Sequence, residues 1–252
     1  MKKFFLLLTA LMTGSLLAQE PQNSSQDNIS ASDEAVTDSV DVNPDDSIQY
    51  NGILNVIGDS YVRNHKCPIE ETWHYKLAQE LNLKYNNYGR NGSCLAWDRT
   101  HDGKYNFGPS VIERVWDMEP DADYVLVIGG HNDAYKIGDC KDSVEMFRDS
   151  MDVLITTIRK QCPKAKIGFV TPWYVARLGF EPTCKVIRQA CAKRYVPVLW
   201  NHSKSSIIQV RDENFRRQYF QDPKDNAHLN AKGHDLYLPY AKAWFEKNMM
   251  KK

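Results

Sequence analysis

The first stretch of the chain able to form a strand and then turn sharply reads ILNVIGDS at residues 53–60. A short apolar run over 53–57 ends at Gly58, and Asp59 and Ser60 follow directly. An amphipathic pattern over 72–81 comes next along the chain. This order predicts a buried strand, a tight turn that exposes the Ser60 hydroxyl, and a helix.

The same alternation of short apolar runs and amphipathic stretches continues to the end of the chain. Further strands are predicted at 83–88, 124–128, 167–171 and 196–199, and further helices at 110–118, 143–161, 182–195 and 231–247. Strands that alternate with helices indicate a parallel sheet covered on both faces. We therefore predict an α/β fold, a three-layer α/β/α sandwich around a mainly parallel five-stranded sheet.

The amino-terminal region differs from this pattern. Lys2 and Lys3 precede an apolar run over 4–17, which is typical of a secretory signal peptide at 1–18. The alternative is a retained membrane anchor, but the run is shorter than the roughly 20 residues that a spanning helix needs. We expect cleavage, no stable membrane insertion afterwards, and export to the periplasm or the medium.

Residues 19–48 are acidic and contain neither Lys, Arg nor aromatic residues. Such a segment cannot bury enough apolar surface to fold, so we predict a disordered linker followed by one folded domain at 49–252. The whole chain has 32 basic and 32 acidic residues and a formal net charge of zero, which argues against nucleic-acid binding.

Six cysteines are present, and none of their spacings with histidine matches a zinc site. In an exported protein they can form structural disulfides or remain buried thiols, and the sequence does not choose between these. We expect no metal and no cofactor.

Polar residues at two distant positions suggest nucleophilic chemistry. Ser60 follows a strand end, where a serine is either an exposed nucleophile or a helix N-cap. Near the carboxyl end, Asp225 precedes His228 by three residues, a spacing that lets the carboxylate orient the imidazole. Together these residues supply a nucleophile, a base and a group that orients the base.

Four separated blocks of this sequence resemble those of the SGNH hydrolases, the GDSL-like esterase and lipase superfamily. The blocks are GDS at 58–60, NYGRNG at 87–92, GHND at 130–133 and DNAHLN at 225–230. They occur in the family's order at predicted strand ends or in the final loop, and the resemblance spans residues 53 to 238. It implies an SGNH, flavodoxin-like fold and a serine hydrolase acting on ester bonds.

Carried over to this chain, the resemblance makes Ser60 the nucleophile, His228 the general base and then acid, and Asp225 the residue that orients His228. It places the oxyanion hole at the backbone N–H of Ser60, the backbone N–H of Gly92 and the side-chain amide of Asn132. Gly89 is the competing glycine for the second donor, and we prefer Gly92 because it ends the glycine block.

The substrate is less well specified than the mechanism. Trp97, His131, Trp173 and Tyr174 follow predicted strands or the glycine block, and aromatic rings of this kind can stack on sugars. For each tryptophan, a core position with one polar edge is an equal alternative. We therefore expect deacetylation of an O-acetylated carbohydrate, with a small-molecule or glycan ester as the partner. The alternatives are a lipid or lysophospholipid esterase, a glycan O-acyltransferase using the same triad, and a glycan-binding protein without turnover.

Overall fold

Five parallel strands form one sheet in the computed structural model, which describes residues 49–251. The strands are β1 (Ile53–Gly58), β2 (Lys84–Gly89), β3 (Tyr124–Ile128), β4 (Lys166–Val170) and β5 (Val198–Leu199). Their order across the sheet is β2-β1-β3-β4-β5, and all four pairings are parallel. The predicted sheet is confirmed, while the predicted signal peptide and linker lie outside the described residues.

Eight α-helices connect the strands within residues 49–251. They are α1 (Ser60–Arg63), α2 (Trp73–Glu80), α3 (Val111–Arg114), α4 (His131–Ile137), α5 (Lys141–Gln161), α6 (Phe180–Lys193), α7 (Glu213–Tyr219) and α8 (Ala231–Phe245). Polar N-caps begin several of them, and Ser110 with Glu113 forms a complete capping box at α3.

The two faces of the sheet bury two separate cores, as expected for a three-layer fold. Along β3, Leu126 and Ile128 point into the core beneath α2 and α8, whereas Val125 and Val127 point into the core beneath α3, α5 and α6. This alternation follows from the two-residue period of a strand. It explains why the strands could be recognised from short apolar runs.

Three short helices, α1, α4 and α7, were not predicted, and a fourth is shorter than expected. α4 begins immediately after Gly130, where we predicted only a strand end, and α7 is a mainly polar helix with no fully buried residue. The helix predicted at 110–118 ends at Arg114 and continues as a 3-10 turn over 115–117. The apolar face of α7 consists only of Phe215 and Tyr219, which pack partly buried against the core beneath α2 and α8, and this pattern is too short for recognition from sequence.

Glycines at the carboxyl ends of β1 and β2 allow the turn into α1 to pack against the sheet. A Cβ on Gly58 would lie 1.9 Å from the carbonyl oxygen of Ile128, and a Cβ on Gly89 would lie 2.4 Å from the backbone nitrogen of Arg63. A larger residue at Gly89 would push α1 away from the strands, and one at Gly58 would collide with β3 and with the side chain of Val62 in α1. Since Ser60 is the first residue of α1, its position depends on these two contacts.

All six cysteines are free thiols in the described part of the chain, and four of them are buried. Of the two expectations for the cysteines, the structure therefore shows unpaired thiols. Within residues 49–251, no helix combines the length and apolar character that a membrane crossing requires.

We predict that Gly89→Ala destabilises the domain, because its Cβ would meet backbone atoms that cannot rotate away. Overpacking of this kind costs about 1–3 kcal/mol of unfolding free energy, and α1 should shift with it. Gly103→Asn is the control: a Cβ added at Gly103 would meet no atom within 4 Å, and asparagine tolerates its φ of +64°. Urea unfolding measures the unfolding free energy of both variants. Equal losses of unfolding free energy in the two would contradict the packing argument.

Candidate active site

Ser60, His228 and Asp225 form a continuous hydrogen-bonded chain. Nε2 of His228 lies 2.8 Å from Oγ of Ser60, and Nδ1 of His228 lies 2.7 Å from Oδ2 of Asp225. Because an ionised carboxylate only accepts hydrogen bonds, Nδ1 carries the ring proton. Nε2 then presents its lone pair to the serine hydroxyl, which is the arrangement that a general base requires.

The three-residue spacing between Asp225 and His228 is explained by a local turn. Oδ1 of Asp225 accepts hydrogen bonds from the backbone N–H groups of Ala227 at 2.8 Å and His228 at 3.3 Å. Burial acts to raise the pKa of Asp225, but the hydrogen bond and charge of His228, with these two amides, outweigh it and leave the pKa below its ordinary value. The carboxylate is therefore both ionised and fixed in orientation.

Ser60 opens α1, and its helix is capped by another residue. Oδ1 of Asp59 accepts a hydrogen bond from the backbone N–H of Tyr61 at 2.9 Å, so Asp59 is the N-cap. The alternative interpretation of Ser60 as a helix N-cap is therefore wrong. Its hydroxyl is left available to His228.

Three N–H donors lie on the segments expected to form the oxyanion hole. Among residues 49–251, the backbone N–H groups of Ser60 and Gly92 donate to no protein acceptor. The side-chain amide of Asn132 donates to the carbonyl of Ser93 at 2.9 Å, which ties α4 to the glycine loop. The second N–H of this amide is left to bind an oxyanion. The N–H of Gly89 already donates to Oδ1 of Asn87, which favours Gly92 over Gly89.

Gly92 occupies a backbone conformation that favours glycine. Its φ is +76°, and a Cβ would lie 2.1 Å from the ring of Phe107. A side chain at this position would strain the loop and collide with that ring. The sequence therefore places a glycine where the loop requires a left-handed backbone conformation.

Arg114 is a buried residue of this region that the sequence analysis did not identify. Its guanidinium donates to the carbonyls of Tyr88 at 2.7 Å and Gly58 at 3.0 Å, and to Oγ of Ser93 at 3.0 Å. One side chain thus joins the ends of β1 and β2 to the glycine loop. A basic residue between Val111 and Val115, on the apolar side of a predicted helix, was the signal that could have revealed it.

Two buried carboxyl groups support the neighbouring loops. Asp133 accepts hydrogen bonds from the backbone N–H groups of Leu95 and Ala96, and burial raises its pKa to about 6. Burial, reinforced by the charge of Asp133, raises the pKa of Asp59 to about 8 against the opposing effects of the Tyr61 amide and Arg114. Asp59 is therefore mostly protonated at pH 7, and its Oδ2 has no partner within residues 49–251.

The residues predicted to contact substrate differ in their surroundings. Trp173 is 2 % exposed, and its Nε1–H donates to the carbonyl of Ala227 at 2.8 Å. Its predicted stacking on a sugar is wrong, because the ring is buried and braces the loop that carries His228. His131 is also buried, with Nδ1 3.1 Å from the Tyr61 hydroxyl.

Trp97 and Tyr174 are partly exposed. Trp97 stacks on Phe147 at 5.6 Å between ring centroids, and it packs against the core beneath α5. Tyr174 lines an open groove of about 640 Å³ together with residues of the loop between β4 and α6. Of the four residues, only Tyr174 lines one of the grooves found in residues 49–251, so its contact with substrate stays a prediction.

Within the part of the chain that the structure describes, no three His, Cys, Asp or Glu side chains converge in a geometry that could hold a metal ion. The buried histidines are held by protein groups instead. Burial lowers the pKa of His74 to about 4, and burial together with the charge of His228 lowers that of His131 to about 3.

Comparison with known proteins identifies the sequence pattern independently of this geometry. The model of the GDSL-like lipase/acylhydrolase family matches residues 56–236. That range contains the strand ends that carry Ser60, Gly92 and Asn132, and the loop that carries Asp225 and His228. None of the curated proteins matches the chain significantly.

Solved structures share the fold at low sequence identity. A protein from Lactobacillus plantarum has a TM-score of 0.62 and 19 % identity, and the match covers 80 % of this chain and 99 % of that one. A member of the lipolytic G-D-S-L family from Veillonella parvula has a TM-score of 0.52 and 14 % identity, and the match covers 77 % of this chain and 98 % of that one. A family two carbohydrate esterase from Clostridium thermocellum has a TM-score of 0.59 and 14 % identity, and the match covers 79 % of this chain and 64 % of that one.

We predict that Asp59→Asn stabilises the domain increasingly as the pH rises. The folded-state pKa of about 8 lies above the ordinary value of 3.8, so the folded parent binds the extra proton and loses stability as the pH rises between these values. Asparagine keeps the cap and does not titrate. The unfolding free energy of Asp59→Asn, relative to that of the parent, should rise by up to about 1.4 kcal/mol per pH unit.

Thermal unfolding of the parent and Asp59→Asn at pH 5 and pH 8 measures this advantage. All other titrating groups are shared, so the difference between the two proteins isolates Asp59. An advantage of the same size at both pH values would show that Asp59 is ionised in the folded protein throughout.

Proposed function

We propose that this chain, which belongs to the GDSL-like lipase/acylhydrolase family, is a serine esterase that removes acetyl groups from an O-acetylated carbohydrate. The observation that carries the proposal is the hydrogen-bonded chain from Ser60 through His228 to Asp225. The arrangement fits acyl transfer, in which a serine hydroxyl needs a base at hydrogen-bonding distance.

In the proposed reaction, Oγ of Ser60 attacks the ester carbonyl carbon while its proton passes to Nε2 of His228. The carbonyl oxygen becomes an oxyanion, which the N–H groups of Ser60, Gly92 and Asn132 stabilise. Asp225 stabilises the imidazolium that forms. The bond to the alcohol oxygen then breaks, and His228 returns the proton to the leaving alcohol.

The second half of the reaction uses the same groups. A water molecule loses a proton to Nε2 of His228 and attacks the carbonyl carbon of the acyl-enzyme. When the new tetrahedral intermediate collapses, Oγ of Ser60 leaves and recovers the proton from His228. The products are a free carboxylic acid and the regenerated hydroxyl.

The choice of a carbohydrate substrate rests on the surroundings of the site. None of the triad or oxyanion-hole residues lines the groove that Tyr174 lines; the groove is linked to the site through Trp173, the chain neighbour of Tyr174, whose ring lies 5.4 Å from that of Tyr61. It also contains Arg177 and Glu181, and this mixture of aromatic and charged groups suits a sugar better than a long acyl chain. A structural neighbour is itself a carbohydrate esterase, which supports the same choice.

Export belongs to the same proposal. A signal peptide at 1–18 and an acidic linker at 19–48 would deliver the folded domain to the periplasm or the medium, where polymeric acetylated glycans are found. Amino-terminal sequencing of the mature protein tests this part separately: a mature terminus near residue 19 supports export, and an intact Met1 contradicts it.

We predict that Ser60→Ala abolishes release of acetate from acetylated xylan, pectin or sialic acid, because the nucleophilic hydroxyl bonded to His228 is lost. Ser150→Ala is the matched control, since the Ser150 hydroxyl donates to the carbonyl of Met146 on the exposed side of α5. Enzymatic acetate determination measures the rates, with 4-nitrophenyl acetate and octanoate as reference esters.

The substrates in this experiment separate the candidate functions. Ser60-dependent acetate release from a glycan supports the proposal and identifies the sugar. Turnover of octanoate in preference to every acetylated substrate would instead favour a lipid esterase. Hydrolysis that survives Ser60→Ala, or no turnover of any ester, would contradict the proposed mechanism.

We predict that Asn132→Ala lowers kcat by about 100-fold to 1000-fold, because one donor to the oxyanion is lost. KM should change little, since this bond forms mainly in the transition state. Asn51→Ala is the control, because the Asn51 amide likewise donates to one backbone carbonyl, that of Leu81. A parental kcat in folded Asn132→Ala would exclude this side chain from the oxyanion hole.

A further inference from the structure

A second histidine lies face to face with His228. The rings of His65 and His228 are 4.2 Å apart between centroids and 13° from parallel. On this evidence we propose that His65 is a positioning residue of the active site, which holds the His228 ring by stacking and stabilises it when it becomes an imidazolium. This inference rests on the proposed esterase function and deepens it.

The two hydrogen bonds of His228 restrain the tilt of its ring only weakly. Asp225 and Ser60 hold the ring at Nδ1 and Nε2, but hydrogen bonds tolerate bends of about 30° from linearity, so the ring can still rock about its bond to Cβ. His65 covers one ring face, and Tyr61 lies 6.3 Å away at an angle of 41°. Stacking by His65 therefore supplies an additional restraint.

The backbone holds His65 in place at an energetic cost. Asn64, the residue that caps the end of α1, has a φ of +63°, and His65 follows with a φ of +49°. Two successive non-glycine residues in the left-handed region are disfavoured, because each Cβ comes too close to the following carbonyl oxygen. Strain of this kind persists only where surrounding contacts enforce it.

Those contacts come from three separate segments. Oδ1 of Asn64 accepts hydrogen bonds from Nε2 of His234 at 3.1 Å and from the amide of Gln221 at 3.2 Å. The carbonyl of His65 accepts one from the side chain of Asn91, the residue before Gly92. The loop that carries His65 is thus tied to α8, to the segment after α7 and to the glycine loop.

Stacking also excludes a direct proton relay between the two histidines. The nitrogen lone pairs and N–H bonds lie in the ring planes, and these planes are nearly parallel. Neither ring can therefore donate to the other. What His65 offers to His228 is its π face, which attracts a cation while His65 itself is neutral.

The charge state of His65 fits this role. Burial lowers the pKa of His65, and the nearby charges of His228 and Lys66 lower it further, against the opposing charge of Asp225. Three other titratable side chains lie near His228. Its charge contributes to lowering the pKa values of His131 and His234, and the Tyr61 ring lies 6.3 Å from its ring. His65 therefore remains neutral at pH 7, when the imidazolium of His228 forms.

Three substitutions of His65 test the proposal with 4-nitrophenyl acetate. His65→Asn suits the left-handed backbone but removes the ring, so kcat should fall about fivefold to tenfold with KM within about twofold. His65→Phe restores a flat face and should keep kcat within about threefold of the parent. Thermal unfolding checks that all variants remain folded.

The third substitution, His65→Arg, separates charge from shape. A guanidinium also stacks on an aromatic ring but is always positive, so it disfavours protonation of His228. The acid limb of kcat/KM should move to lower pH by about one unit, and kcat should fall. If His65 had a merely structural role, its substitution would not shift the pH at which kcat/KM falls on the acid side.

The outcomes distinguish this inference from the proposed function. Parental kcat in His65→Asn, equal losses in His65→Asn and His65→Phe, or an unmoved acid limb in His65→Arg would each overturn the role of His65. Ser60→Ala, assayed in parallel, tests the function itself. If Ser60→Ala is inactive while the His65 variants match the parent, only the inference about His65 fails.

Discussion

The close contact of α1 with the ends of β1 and β2 is the constraint on which the site depends. The strand order reverses direction at β1, which pairs with β2 on one side and β3 on the other. In open α/β sheets, ligands bind at such a point because the connecting loops diverge there. Gly58 and Gly89 let α1 approach the strands closely enough for Ser60 to stand in this crevice.

Buried polar groups then fix the two sides of the crevice relative to Ser60. On one side, Arg114 joins Gly58 to the glycine loop, and Asp133 holds the segment that follows this loop. On the other side, the Trp173 indole braces the loop that carries His228. Because each of these bonds is buried, the donors and the base are held before substrate binds, as electrostatic catalysis requires.

The sequence predicted the sheet well and the site only in part. Four of the five strand runs are short and mainly apolar, whereas β2 reads KYNNYG, and the Asp-x-x-His spacing encodes a local turn. The apolar runs and the turn could be recognised without tertiary contacts. Trp173 could not be assigned from sequence, because an indole serves equally well in a core or at a sugar. His65 gave no signal at all, since its role comes from a left-handed backbone and from contacts with residues more than 150 positions away.

The central claim is that His228 and Asp225 activate Ser60 as a nucleophile. The most direct measurement is reaction of the folded protein with a serine-directed fluorophosphonate, followed by mass spectrometry of the intact chain and of its peptides. The account predicts one adduct per chain, located on Ser60, and a much slower reaction in His228→Ala. An adduct on another residue, no adduct, or an unchanged rate in His228→Ala would contradict it.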